Sequence, residues 1–244
     1  MRHLLRKNRR IVPVFEFGHD EGQLPVHYII GGECAWEAAG LWTTDAIVRK
    51  LATDRALREA FASRAVLRII PALSIYSSVS VRSNAATTLD NRSVYGASTW
   101  SWEKPPEEIA LVRELVLEDL RRGRLGCLLT IHSWYGLHAY SGLEAIRSAG
   151  ANKLEGERLR WTQATLDTLI QEVPAGRVDF SEKTWHPGLA RDYFLREFNF
   201  TSFRIEITTA KGGDREFFTR SGEALLTNLG RVSDWEPAHA NPAR

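Results

Sequence analysis

From end to end this chain alternates short apolar runs with stretches of helical period, and that alternation constrains its fold more than any other feature. Residues 11–17 and 26–30 read as strands separated by a polar, glycine-containing turn, and 65–70 reads as a buried strand stopped by Pro71. Between them, 36–51 has helical spacing. The sharpest helix opens at Pro105-Pro106, carries Glu107 and Glu108 in its first turn, and lines up Ile109, Val112, Leu115, Val116 and Leu120 on one stripe. Arg121, Arg122 and Gly123 end it. A nearly continuous apolar strand follows at 125–131, then a helix at about 153–172 ended by Pro174, a strand at 202–208, and a last helix from about 216 to 229. Strands alternating with helices predict an α/β fold: a single domain with a mixed, largely parallel sheet and helices on both faces. The expected division is a basic N-terminal arm over 1–10, one domain over 11–232 and a C-terminal tail over 233–244. Two segments, 81–102 and 173–200, are long and rich in Asn, Ser, Gly and Arg, and read as irregular loops with functional content.

Composition narrows function by exclusion. With 43% hydrophobic and 25% charged residues, the 244-residue chain has the material for a packed core. Its net charge is +2, from 32 basic and 30 acidic residues, so no overall field gathers nucleic acid or anionic lipid, and neither is expected as a partner. Arg2, Arg6, Lys7, Arg9 and Arg10 read as a solvated terminal segment. No apolar run approaches the roughly 20 residues that cross a bilayer, and the charged start has no apolar stretch behind it, so a cytoplasmic location is expected. Cys34 and Cys127 can form at most one bridge, which is too few for a disulfide scaffold.

Four segments carry candidate chemistry. Gly31-Gly32-Glu33-Cys34-Ala35-Trp36-Glu37 follows a strand and opens a helix. Cys34 and Glu37 stand three apart and can converge on one ion, since thiolate and carboxylate both ligate zinc; a buried small Cys beside a first-turn Glu is the alternative. Arg82 and Asn84, then Asn91 and Arg92, lie within one loop and can grip a carboxylate or oxyanion, or simply be solvated. His132 and Ser133 come at the carboxyl end of an apolar strand, where α/β sheets place ligand sites. In 202–208, period-two alternation puts Glu206 on the face opposite Phe203, Ile205 and Ile207, and a Glu in so apolar a strand needs a partner or a purpose.

In this order the segments resemble the zinc carboxypeptidase family, the M14 type of metallopeptidase, with aspartoacylase and succinylglutamate desuccinylase as deacylase relatives. The shared marks are Gly31-Gly32, Glu37, Gly40, Arg82-x-Asn84, Asn91-Arg92, His132-Ser133 and Glu206, with Tyr140 and Gly188-x-x-x-Asp192-Tyr193 in support. Three positions depart from the family: Cys34 stands where its first His ligand falls, Asp90 adjoins Asn91 directly, and no Tyr stands near Thr184-Trp185.

The resemblance implies a zinc-carboxypeptidase-like fold and a zinc cofactor held by Cys34, Glu37 and His132. It makes Glu206 the general base, Arg82 the oxyanion stabiliser, and Asn91, Arg92 and Ser133 substrate-binding residues. Arg191, just before Asp192, falls on the pocket wall, where its charge selects acidic side chains. The implied reaction is cleavage of a C-terminal amide or peptide bond by metal-activated water. N-acyl amino acid deacylation and non-catalytic carboxylate binding are the alternatives. In each case the partner is a peptide or N-acyl amino acid with a free carboxylate.

Overall fold

The apolar runs pair into one mixed eight-stranded sheet, in the order β1-β2-β4-β3-β5-β8-β6-β7. The computed structural model of the protein describes residues 2–7, 10–19, 23–33, 38–73, 100–132, 142–146, 156–171, 173, 177–179, 188–208 and 215–232. The strands are β1 (Arg2–Lys7), β2 (Arg10–Phe17), β3 (Val26–Gly31), β4 (Val66–Ile70), β5 (Leu125–His132), β6 (Gly142–Ile146), β7 (Arg177–Asp179) and β8 (Phe203–Thr208). Centrally, β4, β3, β5 and β8 run parallel, and β1 and β2 extend the sheet antiparallel beyond β4. On the other flank β6 is antiparallel to β8 and parallel to β7.

Helices cover both faces, as the alternation predicts. On one face α1 (Ala38–Thr53), α2 (Arg55–Ala62), α4 (Gly156–Ile170) and α6 (Arg215–Leu229) enclose a core that includes Ile47, Leu51, Phe61, Leu166 and Leu225 against Ile29, Leu67, Leu129 and Ile205. On the other, α3 (Glu107–Arg121) and α5 (Ala190–Phe198) bring Val112, Val116, Tyr193 and Phe194 onto Tyr28, Ile30 and Leu128. The α3 boundaries follow the sequence signals: Pro106 stands at its N-cap, Glu107 and Glu108 in its first turn, and Gly123, with φ 67°, just beyond its end. No described helix is long and apolar enough to cross a membrane.

Two expectations change. Residues 2–7, read as part of a solvated basic arm, form edge strand β1 beside β2; charged residues are a usual guard on a sheet edge, so polarity there was a poor sign of a free arm. The segment 173–200, read as an irregular loop, contains β7 and α5. The latter is nine residues long, and its apolar spacing of Ala190, Tyr193 and Phe194 covers less than three turns, too short a window for periodicity to stand out. Helix α2 and strand β6 were not anticipated either.

The connections set where a site can lie. From β3 the chain crosses one face through α1 and α2 to β4, then returns over the opposite face through α3 to β5, on the other side of β3. Strand order therefore reverses between β3 and β5, which opens a crevice at their carboxyl ends.

Candidate active site

Glycines shape the mouth of this crevice. A Cβ on Gly31 would lie 2.5 Å from the carbonyl oxygen of Gly40, and one on Gly40 would lie 2.5 Å from that of Ile131, so the start of α1 rests on the ends of β3 and β5 with no side chain between. Gly32 has φ 62°, a left-handed turn that aims the next residue, Glu33, into the crevice.

Glu33 meets His132 there. Its Oε2 is 3.0 Å from His132 Nε2, and both side chains are 1% exposed. His132 is the last residue of β5 and pairs in register with Glu206 on β8. Alternation along β8 turns Phe203, Ile205 and Ile207 into the core under α1, α4 and α6, and leaves Arg204 and Glu206 on the face of α5. Arg204 Nη2 forms an ion pair with Glu206 Oε1. From the first turn of α5, Arg191 Nε donates to Asp192 Oδ2 at 3.3 Å. Burial pushes the Arg191 guanidinium below its ordinary range; Asp192 and Glu206 oppose that shift and Arg204 adds to it. Arg191, Asp192, Arg204 and Glu206 thus form a chain of alternating charges beside the Glu33–His132 pair.

Of the residues singled out in the sequence, His132, Glu206 and Arg191 fall in this cluster. Cys34, Glu37, Arg82, Asn91, Arg92 and Ser133 lie outside the described residues. Two members went unread. Glu33 had a signal, being the first charged residue after an apolar strand and two glycines, but it stood in the spacer position of the motif. Arg204 shares the face of Glu206 by simple alternation and could have been found from that alone. Arg191 contacts Asp192 in the interior, while Glu197 pairs with Arg196.

Imidazole and carboxylate are competent zinc ligands, and donor atoms on adjacent vertices of a tetrahedral zinc site stand about 3.3 Å apart, close to the Glu33–His132 separation. The donor chemistry suits zinc in kind. In number it falls short, because no three His, Cys, Asp or Glu side chains group closely enough for a metal among the described residues.

No protein-family model and no curated protein matches the sequence. Solved structures do. A metallo-carboxypeptidase from Burkholderia cenocepacia superposes with a TM-score of 0.73 at 17% identity, over 91% of this chain and 61% of its own. A metallo-carboxypeptidase from Pseudomonas aeruginosa, in complex with (2-guanidinoethylmercapto)succinic acid, gives 0.68 at 15% identity over 92% and 61%. A candidate carboxypeptidase A from Shewanella denitrificans OS-217 gives 0.75 at 17% over 95% and 64%. This chain has the metallo-carboxypeptidase fold, and it spans less than two thirds of the length of these structures.

Proposed function

We propose that the chain is a zinc-dependent hydrolase of the carboxypeptidase type, cleaving a C-terminal amide or peptide bond in a substrate with a free carboxylate. The observation that carries this reading is the placement of His132 and Glu206 side by side at the carboxyl ends of adjacent parallel strands, in a fold shared with metallo-carboxypeptidases. Zinc bound by Cys34, Glu37 and His132 would supply a water of lowered pKa. Glu206 takes a proton from the attacking water as its oxygen bonds to the carbonyl carbon, and delivers a proton to the nitrogen as the carbon–nitrogen bond breaks. Arg82 steadies the developing oxyanion. Asn91, Arg92 and Ser133 hold the substrate, with the terminal carboxylate on Asn91 and Arg92, and Arg191 lines the pocket for the departing side chain. The succinic-acid compound bound by the Pseudomonas aeruginosa enzyme supports a carboxylate-bearing ligand.

The test is turnover of peptides ending in Glu, Leu and Lys by zinc-supplemented protein, with Glu206→Gln alongside. Glu206→Gln should keep its metal and lose activity by at least about a hundredfold. Wild-type activity in that variant would make Glu206 structural. One observation favours a second reading, non-catalytic carboxylate binding: the ion pair with Arg204 occupies the Glu206 carboxylate that would have to face the attacking water. Protein that carries zinc yet turns over none of these peptides would select it.

A further inference from the structure

The four charges around β8 are unevenly exposed and unevenly satisfied. Asp192, Glu206 and Arg191 are 0–2% exposed, whereas the Arg204 side chain is 16% exposed, so Arg204 is the member an incoming molecule meets first. Within the described residues, the Nε–H of Arg204 and both carboxylate oxygens of Glu206 are buried without a well-directed hydrogen bond. Their ion pair is therefore a charge contact that leaves polar atoms on both partners unsatisfied. Buried groups in that condition are costly, and a ligand acceptor that completes the hydrogen bonds of Arg204 is favoured.

We propose that Arg204 is the anchor for a side-chain carboxylate of the ligand, and that its contact with Glu206 is a resting arrangement which that carboxylate displaces. A carboxylate matches the two-pronged donor geometry of a guanidinium better than the single Nη2 contact does, and it reaches the unsatisfied Nε–H. Charge points the same way. At rest, Arg191 balances Asp192 and Arg204 balances Glu206. A ligand carboxylate on Arg204 brings its own negative charge to the place that Glu206 holds at rest, so the guanidinium stays paired. Arg191, held behind by Asp192, adds to the positive field at that point. Binding of an acidic ligand and release of the base are thereby one event.

The inference rests on the hydrolase reading only for the role of Glu206 as base, and its test needs no turnover. Binding of N-acetyl-L-glutamate is compared by calorimetry with that of N-acetyl-L-glutamine, which has the same shape and the same α-carboxylate but an uncharged side chain. Wild-type protein should prefer glutamate. Arg204→Gln should weaken glutamate binding about tenfold or more and leave glutamine binding unchanged, as expected for loss of a charge-assisted pair. Glu206→Gln should bind glutamate several-fold more tightly, because the competing carboxylate is gone. Arg204→Lys, which keeps the charge, guards against a folding artefact and should retain a glutamate preference. The proposal is overturned if wild-type protein does not discriminate, if Arg204→Gln still does, or if Glu206→Gln binds glutamate no more tightly. A chain that passes these binding tests but hydrolyses nothing would refute the hydrolase reading and leave the anchor standing.

Discussion

Arg191 illustrates how burial changes what a guanidinium can do. On a surface it would be screened and nearly neutral in energy, whereas here it is 2% exposed and held by Asp192. If it lines the substrate pocket, peptides ending in Glu should be hydrolysed faster than those ending in Leu or Lys. Arg191→Ala should erase that preference. It should also lower stability by about 3–5 kcal/mol in urea titration, because it takes the Arg191 contact away from the buried Asp192 carboxylate. A preference for Leu or Lys, or a Glu preference that survives the substitution, would remove Arg191 from the pocket. His132 makes a separate prediction about metal. Protein purified without added zinc should carry about one zinc per chain by elemental analysis, and His132→Ala should carry almost none. Equal zinc content in the two proteins would mean that His132 is not a ligand, leaving its contact with Glu33 as its role.

At the scale of elements, glycines set how closely α1 approaches the ends of β3 and β5. Gly40→Ala would put a methyl 2.5 Å from a main-chain oxygen that cannot rotate away, so α1 must move. We expect a loss of about 3 kcal/mol in stability, and reduced turnover as the crevice opens. Gly123→Ala is the contrast. That position has open space and a φ of 67°, so only about 1 kcal/mol of backbone strain is expected and no change at the site. Urea midpoints for both variants decide between steric and conformational causes. The same elements show what could be read in the sequence. β3, β5 and α3 were legible because each is a long, clean pattern with a cap or stop, and His132 and Glu206 were legible because polar groups interrupt such patterns. β7 and α5 were not, since three and nine residues give periodicity too little length. The Glu33–His132 contact joins positions 99 residues apart, and its partners become neighbours only when β3 and β5 pair. No local pattern encodes that.

Across the whole molecule, much of the buried charge among the described residues gathers at two places. The carboxyl ends of β3, β5 and β8 hold the candidate site. A second buried network joins Arg68 to Glu16 at 2.9 Å and to Asp119, and Arg124 to Asp119 at 2.6 Å, tying β2, β4, α3 and the start of β5 together. His27 lies near this amino-terminal side of the sheet, in β3, with its imidazole packed where a Cβ on Gly126 would otherwise sit. Burial lowers its pKa from 6.5 to about 3, so the folded chain keeps it neutral where the unfolded chain would protonate it. The unfolded state then binds more protons at acidic pH. The stabilisation from neutral His27 is complete above the unfolded pKa of 6.5 and is lost progressively as pH falls toward 3. Between pH 7 and pH 4.5 this single group should remove about 2–3 kcal/mol of stability. His27→Gln, which has no such proton to bind, should be less stable than the wild type at pH 7 because its amide replaces a fitted ring. It should lose about 2–3 kcal/mol less on acidification. Urea unfolding of both proteins at the two pH values measures the difference, and parallel losses would show that His27 is protonated in the folded state as readily as in the unfolded one.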